Sequence, residues 1–180
     1  DALADLGATH GFDVSWREPV SFDGARISST RIRAALREGK PDLARALLGR
    51  PYSLRAPVVG GHKKGSQLGV PTANLQRGAQ LVPADGIYAS SLRVDGDEHA
   101  AVSSVGTRPT FYNDPMSLIE THVLDAHGLQ LYDKTVDVSF LRYLRPQIRF
   151  DSAEALVAQM HRDIDDARQI YRELRLLGSS

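Results

Sequence analysis

Cysteine is absent from this chain of 180 residues. Disulfides, thiolate nucleophiles and cysteine-based zinc sites are therefore excluded. An excess of one charge is lacking too, since 22 Lys and Arg balance 22 Asp and Glu. Bulk charge leaves no footprint for nucleic acid. No apolar run approaches the roughly 20 residues that span a bilayer. No basic start followed by an apolar stretch marks a secretory leader. The expectation is a cytoplasmic protein with neither a nucleic-acid nor a membrane partner. The six His are scattered, and no His-Glu-x-x-His occurs, which argues against a transition-metal site. The Gly-x-Ser-x-Gly elbow is missing, as are the His-Arg-Asp and Asp-Phe-Gly signatures of protein kinases. The first residue is Asp1 rather than Met, so the chain reads as part of a longer protein. Its length suits one domain with an extra lobe.

What is present divides near residue 50. Residues 2–10 suit a short helix, and Phe12 to Trp16 alternate like a strand. A loop with Asp23-Gly24 follows. Ser28 or Ser29 suits an N-cap ahead of Ile32, Ala35 and Leu36, with Gly39 as the stop. Pro41 opens a further helix that Gly49 closes. The pair is a helix–turn–helix in shape only, because its charges are mixed in sign. From Tyr52 onward the pattern is of short strands: 52–59, 86–94, 98–105, 118–124 and 135–143. Pro57 suggests a strand edge or bulge, and Asp95-Gly96 a two-residue hairpin. This spacing predicts an antiparallel barrel or sandwich. Ser152 then caps a helix whose Leu156, Met160, Ile164, Ala167, Tyr171 and Leu174 share one face. Arg162, Asp163, Asp165, Asp166, Arg168 and Arg172 are placed on the other. Packing on the barrel is the expected use of that helix.

Three segments have the composition for chemistry. Residues 59–74 hold Gly60, Gly61, Gly65 and Gly69 with Lys63 and Lys64, followed by Pro71-Thr72-Ala73-Asn74. Glycines let backbone N–H groups approach phosphate, and lysines add charge. The order is not that of a P-loop, because Ser66-Gln67 follows Gly65. An ordinary hairpin loop is the competing reading. If 71–74 is extended, Thr72 and Asn74 point the same way and offer two hard, neutral oxygens that suit Mg²⁺. Capping a turn is the alternative. In strand 118–124, Ile119, Thr121 and Val123 form one face, while Leu118, Glu120, His122 and Leu124 form the other. Glu120 is either a general base for a substrate hydroxyl or a solvated carboxylate. His122 reads as structural. Residues 105–111 combine backbone donors, Arg108 and Phe111, suited to a flat heterocycle, a phosphate or simply a tight turn. Arg145 and Arg149 read equally as surface charges.

Taken in order, these segments resemble riboflavin kinase, and more closely the kinase part of bacterial bifunctional riboflavin kinase/FMN adenylyltransferases. The resemblance is carried by Leu68-Gly69-Val70-Pro71-Thr72-Ala73-Asn74, Pro83 with Gly86-Ile87-Tyr88, and Gly106-Thr107-Arg108-Pro109-Thr110-Phe111. It continues through Glu120-Thr121-His122, Leu124-Asp125, Leu131-Tyr132, Leu144-Arg145 and Phe150-Asp151-Ser152. It runs from about residue 52 to residue 170. Ile27-Ser28-Ser29-Thr30-Arg31-Ile32-Arg33 is similar to the last signature of the adenylyltransferase module. The upstream His-x-Gly-His of that module is absent, and Thr9-His10-Gly11 is no substitute.

The resemblance implies a mainly β fold: a six-stranded antiparallel Greek-key barrel with a C-terminal helix, preceded by an α/β remnant of a nucleotidyltransferase domain. Residues 1–50 are then that remnant, and 51–180 the riboflavin kinase domain. The implied reaction is ATP-dependent phosphorylation of the riboflavin 5′-hydroxyl to FMN, with Mg²⁺ and ATP. The full-length parent would also convert FMN to FAD, an activity not expected of these residues alone. The missing adenylyltransferase domain would be this chain's partner. Carried over by position, Thr72 and Asn74 hold the cation and ATP, and Glu120 is the base. Gly61, Lys64, Gly65 and Gly69 line the nucleotide, Arg108 and Arg145 lie on the flavin side, and Ser28, Ser29, Thr30 and Arg33 meet ATP phosphates in the remnant. A non-catalytic flavin- or nucleotide-binding barrel is the alternative. Four positions depart from the family pattern: Lys63 for Gly, Lys64 for Arg, Val70 for Phe, and Ser104 for Asn. Lys64 gives up bidentate phosphate geometry.

Overall fold

Alternation of apolar residues between 52 and 145 has its physical outcome in a sheet that closes on itself. The computed structural model describes residues 2–60, 72–76, 78–108, 116–126 and 129–177. In chain order the elements are α1 (Ala2–His10), β1 (Ser21–Phe22), β2 (Ala25–Arg26), α2 (Ser29–Arg37), α3 (Pro41–Leu48), β3 (Tyr52–Val59), β4 (Ala73–Leu75), β5 (Gly86–Val94), β6 (Asp97–Arg108), β7 (Met116–Val123), β8 (Thr135–Arg145) and α4 (Ala153–Leu177). The barrel order is β3-β4-β7-β6-β5-β8, closed by β8 on β3, and every pairing is antiparallel. β5, β6 and β7 run as a meander, and β4 lies beside β7 rather than β5. That is Greek-key connectivity, and closure removes the exposed sheet edges.

Period-two alternation decides which residues fill the barrel. Leu54, Ala56 and Val58 face inward with Leu75, Tyr88, Leu92, Val105, Ile119, Val138 and Phe140. The ring of Tyr88 sits edge-on between Phe140 and Tyr143, with centroids 5.2 Å from each. Its hydroxyl donates to the carbonyl of Ala84 at 2.5 Å. Burial, with Tyr143 and Asp85 nearby, pushes the Tyr88 phenol well above its ordinary value, so it remains a neutral donor. The Asp95-Gly96 turn joins β5 to β6 with both residues at positive φ, 52° and 96°. Such a turn matches the strands' twist. Pro57 pairs with Thr135 of β8 without a bulge, and it lies just beyond the β3–β4 ladder on its other side. Its carbonyl accepts from the N–H of Gln76, just past the end of β4. The missing proline N–H therefore faces the side where the β3–β4 ladder has already ended.

Three hydroxyls cross the barrel interior. Ser103 bridges Ser90 at 2.8 Å and Thr121 at 2.9 Å, and all three are fully buried. We expect Ser103→Ala to destabilise the chain by about 1–3 kcal/mol, because two buried hydroxyls lose their common partner. Replacing all three (Ser90→Ala, Ser103→Ala, Thr121→Val) should cost less than the sum of the single changes. Denaturant unfolding of the four variants checks this.

α4 covers the outer side of β5, β6 and β8. Ile164, Ala167 and Ile170 pack on Ala89, Leu124 and Leu141, as the heptad-like spacing predicts. Ser152 accepts from the N–H of Ala155 at 3.2 Å and caps the helix. Asp163 departs from the sequence expectation. It is 4% exposed rather than solvated, for a reason that emerges at the site.

The segment before the barrel is largely as read, with one correction. α2 is capped by Ser28, whose Oγ accepts from the N–H of Arg31 at 3.2 Å. Gly49 closes α3 in the left-handed region at φ 72°. α2 and α3 share a small core of Ala35, Leu36 and Ala44 that continues onto Tyr52 and Leu81. The N–H of Ala84 donates to the carbonyl of Leu36 at 3.0 Å, a further tie between the helices and the barrel. Phe12 to Trp16 do not form a strand. Alternation produces a strand only where a neighbouring ladder accepts it, and none of the described pairings involves these residues. Instead Asp23-Gly24 turns a two-strand hairpin of β1 and β2. The guanidinium of Arg31 ties that hairpin to α2 through the carbonyls of Phe22 and Ala25, at 2.8 and 2.9 Å.

Candidate functional site

β4 is only three residues long, yet it fixes the central relation of the site. Its register on β7 places Ala73 opposite Thr121, Asn74 opposite Glu120 and Leu75 opposite Ile119. Ala73, Leu75, Ile119 and Thr121 are buried in the barrel. Asn74 and Glu120 therefore point away from the interior, on the same face. Directly opposed residues in such a ladder have Cβ atoms about 4.5–5.5 Å apart. On its other side Glu120 faces Ser104 of β6. An amide, a carboxylate and a hydroxyl thus form one row across three strands. Glu120 is half-buried, and Asn74 is only 9% exposed although it lies on the outer face. Thr72 immediately precedes β4 and is half-buried. His122 lies two residues along from Glu120, opposite Val102 and also half-buried.

The donor set fits a hard divalent cation. Asn74 supplies an amide oxygen and Thr72 a hydroxyl, both suited to Mg²⁺ and neither charged. Among the described residues no group of three or more His, Asp or Glu is gathered to hold a metal. Thr72 and Asn74 themselves bring no negative charge to a cation held there.

Other residues singled out in the sequence have different surroundings. Arg145 ends β8 with its guanidinium committed to α4. Nε donates to Asp163 Oδ1 at 3.0 Å and Nη2 to Oδ2 at 2.7 Å. Gln159 Nε2 adds a bond to Oδ1 at 2.9 Å. This explains the burial of Asp163, since a buried carboxylate needs such partners. Arg145 Nη1 donates to the carbonyl of Pro146 at 3.0 Å, and the guanidinium lies 5.8 Å from the Phe150 ring centre. Arg145 is thus not a plain surface charge. Ser28, Ser29, Thr30 and Arg33 form a separate, exposed group around the first turn of α2. Arg108 closes β6 opposite Met116. Gly61, Lys64, Gly65 and Gly69 lie outside the described residues, as do Pro109, Thr110 and Phe111.

Sequence reasoning missed Gln147. Its Nε2 donates to Ser104 Oγ at 3.1 Å and to the carbonyl of Val105 at 3.0 Å. A Cβ at Gly106 would lie 2.4 Å from that nitrogen, so the glycine makes room for the amide. The signal in the sequence was Gly106 inside a strand, a mark of close approach by another group. Nothing local said which group approaches.

Comparison with known proteins identifies the family of the barrel. Residues 48–171 match the flavokinase (riboflavin kinase) family model. A bifunctional riboflavin kinase/FMN adenylyltransferase from Pseudomonas fluorescens is 41% identical over 94% of this chain and 54% of its own length. The chain spans about half the length of the curated relatives it matches. A crystal structure from Streptococcus pneumoniae, described as a macrolide-efflux protein, superposes with a TM-score of 0.82 at 34% identity, over 91% of this chain and 54% of that one. Among the described residues, no helix is long and apolar enough to cross a membrane. A riboflavin kinase structure from Trypanosoma brucei shares the fold, with a TM-score of 0.51 at 23% identity over 71% of this chain and 83% of that one. With its closed barrel and the matching stretch from β3 through most of α4, the chain belongs to the riboflavin kinase family.

Proposed function

We propose that residues 51–180 transfer the γ-phosphoryl group of ATP to the 5′-hydroxyl of riboflavin, giving FMN and ADP. The observation that carries this reading is the cross-strand placement of Asn74 against Glu120. Phosphoryl transfer asks a protein mainly for alignment and charge neutralisation, and a short rigid ladder provides alignment. Glu120 accepts the proton of the ribityl hydroxyl as its oxygen attacks the γ-phosphorus. A new O–P bond forms, the bond from the γ-phosphorus to the bridging oxygen breaks, and its electron pair leaves with ADP. Thr72 and Asn74 would hold a divalent cation together with the nucleotide, and that ion supplies charge neutralisation at the phosphates. Lys64 and the glycines Gly61, Gly65 and Gly69 are assigned to the nucleotide, and Arg108 to the flavin side. Arg145 supports the flavin side through its tie to α4.

Incubation of the chain with riboflavin, ATP and Mg²⁺, followed by chromatographic separation of flavins, tests the reading. FMN should accumulate with turnover. Flavin binding without FMN would reduce the chain to a binding barrel. Thr72→Ala and Asn74→Ala should each weaken Mg²⁺–ATP by about tenfold or more while riboflavin affinity changes about twofold at most. Calorimetric titrations with each ligand check that split, and an equal loss for both ligands removes these residues from the cation site.

Residues 1–50 are proposed as the end of a nucleotidyltransferase domain, with Ser28, Ser29, Thr30 and Arg33 as its ATP-phosphate group. A longer parent would adenylylate FMN to FAD, while the chain alone makes no FAD. The reaction belongs in the cytoplasm, where ATP is available.

A further inference from the structure

We propose that α2 and α3 belong mechanically to the kinase barrel, and that the joint between the two modules lies at residues 13–19 instead of near residue 50. Ser28, Ser29, Thr30 and Arg33 then ride on the kinase body. What they bind there rests on the nucleotidyltransferase reading above, whereas the place of the joint rests on packing alone.

Helix length is the first reason. α2 has nine residues and α3 eight. Helices this short are marginal in water and draw their stability from what they pack against. Here that support is the barrel. Leu36 is 1% exposed and Ala44 is fully buried, in a cluster completed by Tyr52 of β3 and by Leu81. The Tyr52 hydroxyl donates to the carbonyl of Leu81 at 2.6 Å, which fixes the barrel's side of that cluster. The carbonyl of Leu36, at the end of α2, accepts from the N–H of Ala84, two residues ahead of β5. The turn between the helices rests on β8, since a Cβ at Gly39 would lie 3.4 Å from the Tyr143 ring and 3.7 Å from the Ala84 methyl. The Asp42–Arg142 pair, 3.7 Å apart and open to solvent, adds little.

The connection near residue 50 has no slack. Only Gly49, Arg50 and Pro51 separate α3 from β3, and the ring of Pro51 fixes its own φ. Joints between domains fall where the chain is exposed and few contacts cross. Residues 13–19 meet that description: they are irregular and mostly exposed, and among the described residues no hydrogen bond ties them to the barrel or its helices. The body resumes at Val20, whose carbonyl accepts from the N–H of Ile27 at 2.9 Å. Arg31 then holds the β1–β2 hairpin to α2. In a longer parent, the phosphate group of the adenylyltransferase site would therefore move with the kinase, and the rest of that site would lie beyond the joint.

Hydrogen exchange of the full chain, read by mass spectrometry without any nucleotide, tests this. The most protected amides of α2 and α3 should exchange within about tenfold of those in β5 and β8, because the elements open together. Amides of residues 13–19 should exchange close to the unprotected rate. Leu36→Ala should speed exchange in α2, α3, β5 and β8 alike, by about a hundredfold. Trp16→Ala, within the joint, should change none of them. The inference is overturned if α2 and α3 of the unsubstituted chain exchange about a hundredfold or more faster than β5 and β8, or if the Leu36→Ala effect stays within α2 and α3. Protection running unbroken through residues 13–19 overturns it too. The unsubstituted chain decides the matter even where Leu36→Ala fails to fold. No nucleotide takes part, so each of these failures leaves the phosphate reading of Ser28, Ser29, Thr30 and Arg33 standing.

Discussion

Glu120→Gln should bind riboflavin about as tightly as the parent chain and form FMN about 10²–10⁴ times more slowly, the usual contribution of a positioned base. The substitution keeps the size and reach of the side chain and replaces the anionic proton acceptor with a neutral amide. Glu120 is half-buried on the outer face of β7, between Asn74 and Ser104. The barrel does not depend on it, since Ile119 and Thr121 on either side carry the packing. Loss of turnover with an unchanged unfolding midpoint is therefore the expected pair of results. Single-turnover measurements locate the loss in the chemical step rather than in release of FMN. A variant with near-normal turnover removes Glu120 from its role. A variant that no longer binds flavin makes it a ligand contact instead.

The largest effect on stability is expected at Asp163→Ala, a loss of about 3–5 kcal/mol. The side chains of Arg145 and Asp163 are 17% and 6% exposed, and the guanidinium meets the carboxylate through two nitrogens. Removing the carboxylate leaves a largely desolvated cation with no counterion at the junction of β8 and α4. For a chain of this size the thermal midpoint should fall by about 10 °C or more. Arg145→Met combined with Asp163→Leu should recover much of that loss, because a well-packed apolar pair carries no desolvation penalty. If Asp163→Ala costs no more than an exposed surface pair, about 1 kcal/mol at most, the junction is held by the apolar contacts of Ile164, Ala167 and Ile170 alone.

Much of the molecule was legible before any coordinates. Hydrophobic alternation located β3, β5, β6, β7 and β8, and it separated the two faces of β7. The Asp95-Gly96 turn set the β5–β6 register, because a two-residue loop admits only one pairing. The apolar stripe and Ser152 located α4. The two faces of β7 were separated correctly, and the structure shows that the one carrying Glu120 is the outer. Where the reading failed, the missing quantity was a partner. Phe12 to Trp16 had the period of a strand and no ladder to join. Asp163 had the spacing of a solvated residue, and a distant arginine drew it inside. Gln147 had no distinguishing local context at all.

Composition, periodicity and turn chemistry are local properties, and they specified the strands, the final helix, their faces and the residue types that suit phosphoryl chemistry. Which outward residues would stand beside one another was settled by barrel closure. The registers β4 on β7 and β7 on β6 join strands whose connections are long, and no short turn dictates them. Those registers set Asn74, Glu120 and Ser104 in one row, and the fold of β8 back toward α4 brought Gln147 onto Ser104 from 43 residues away.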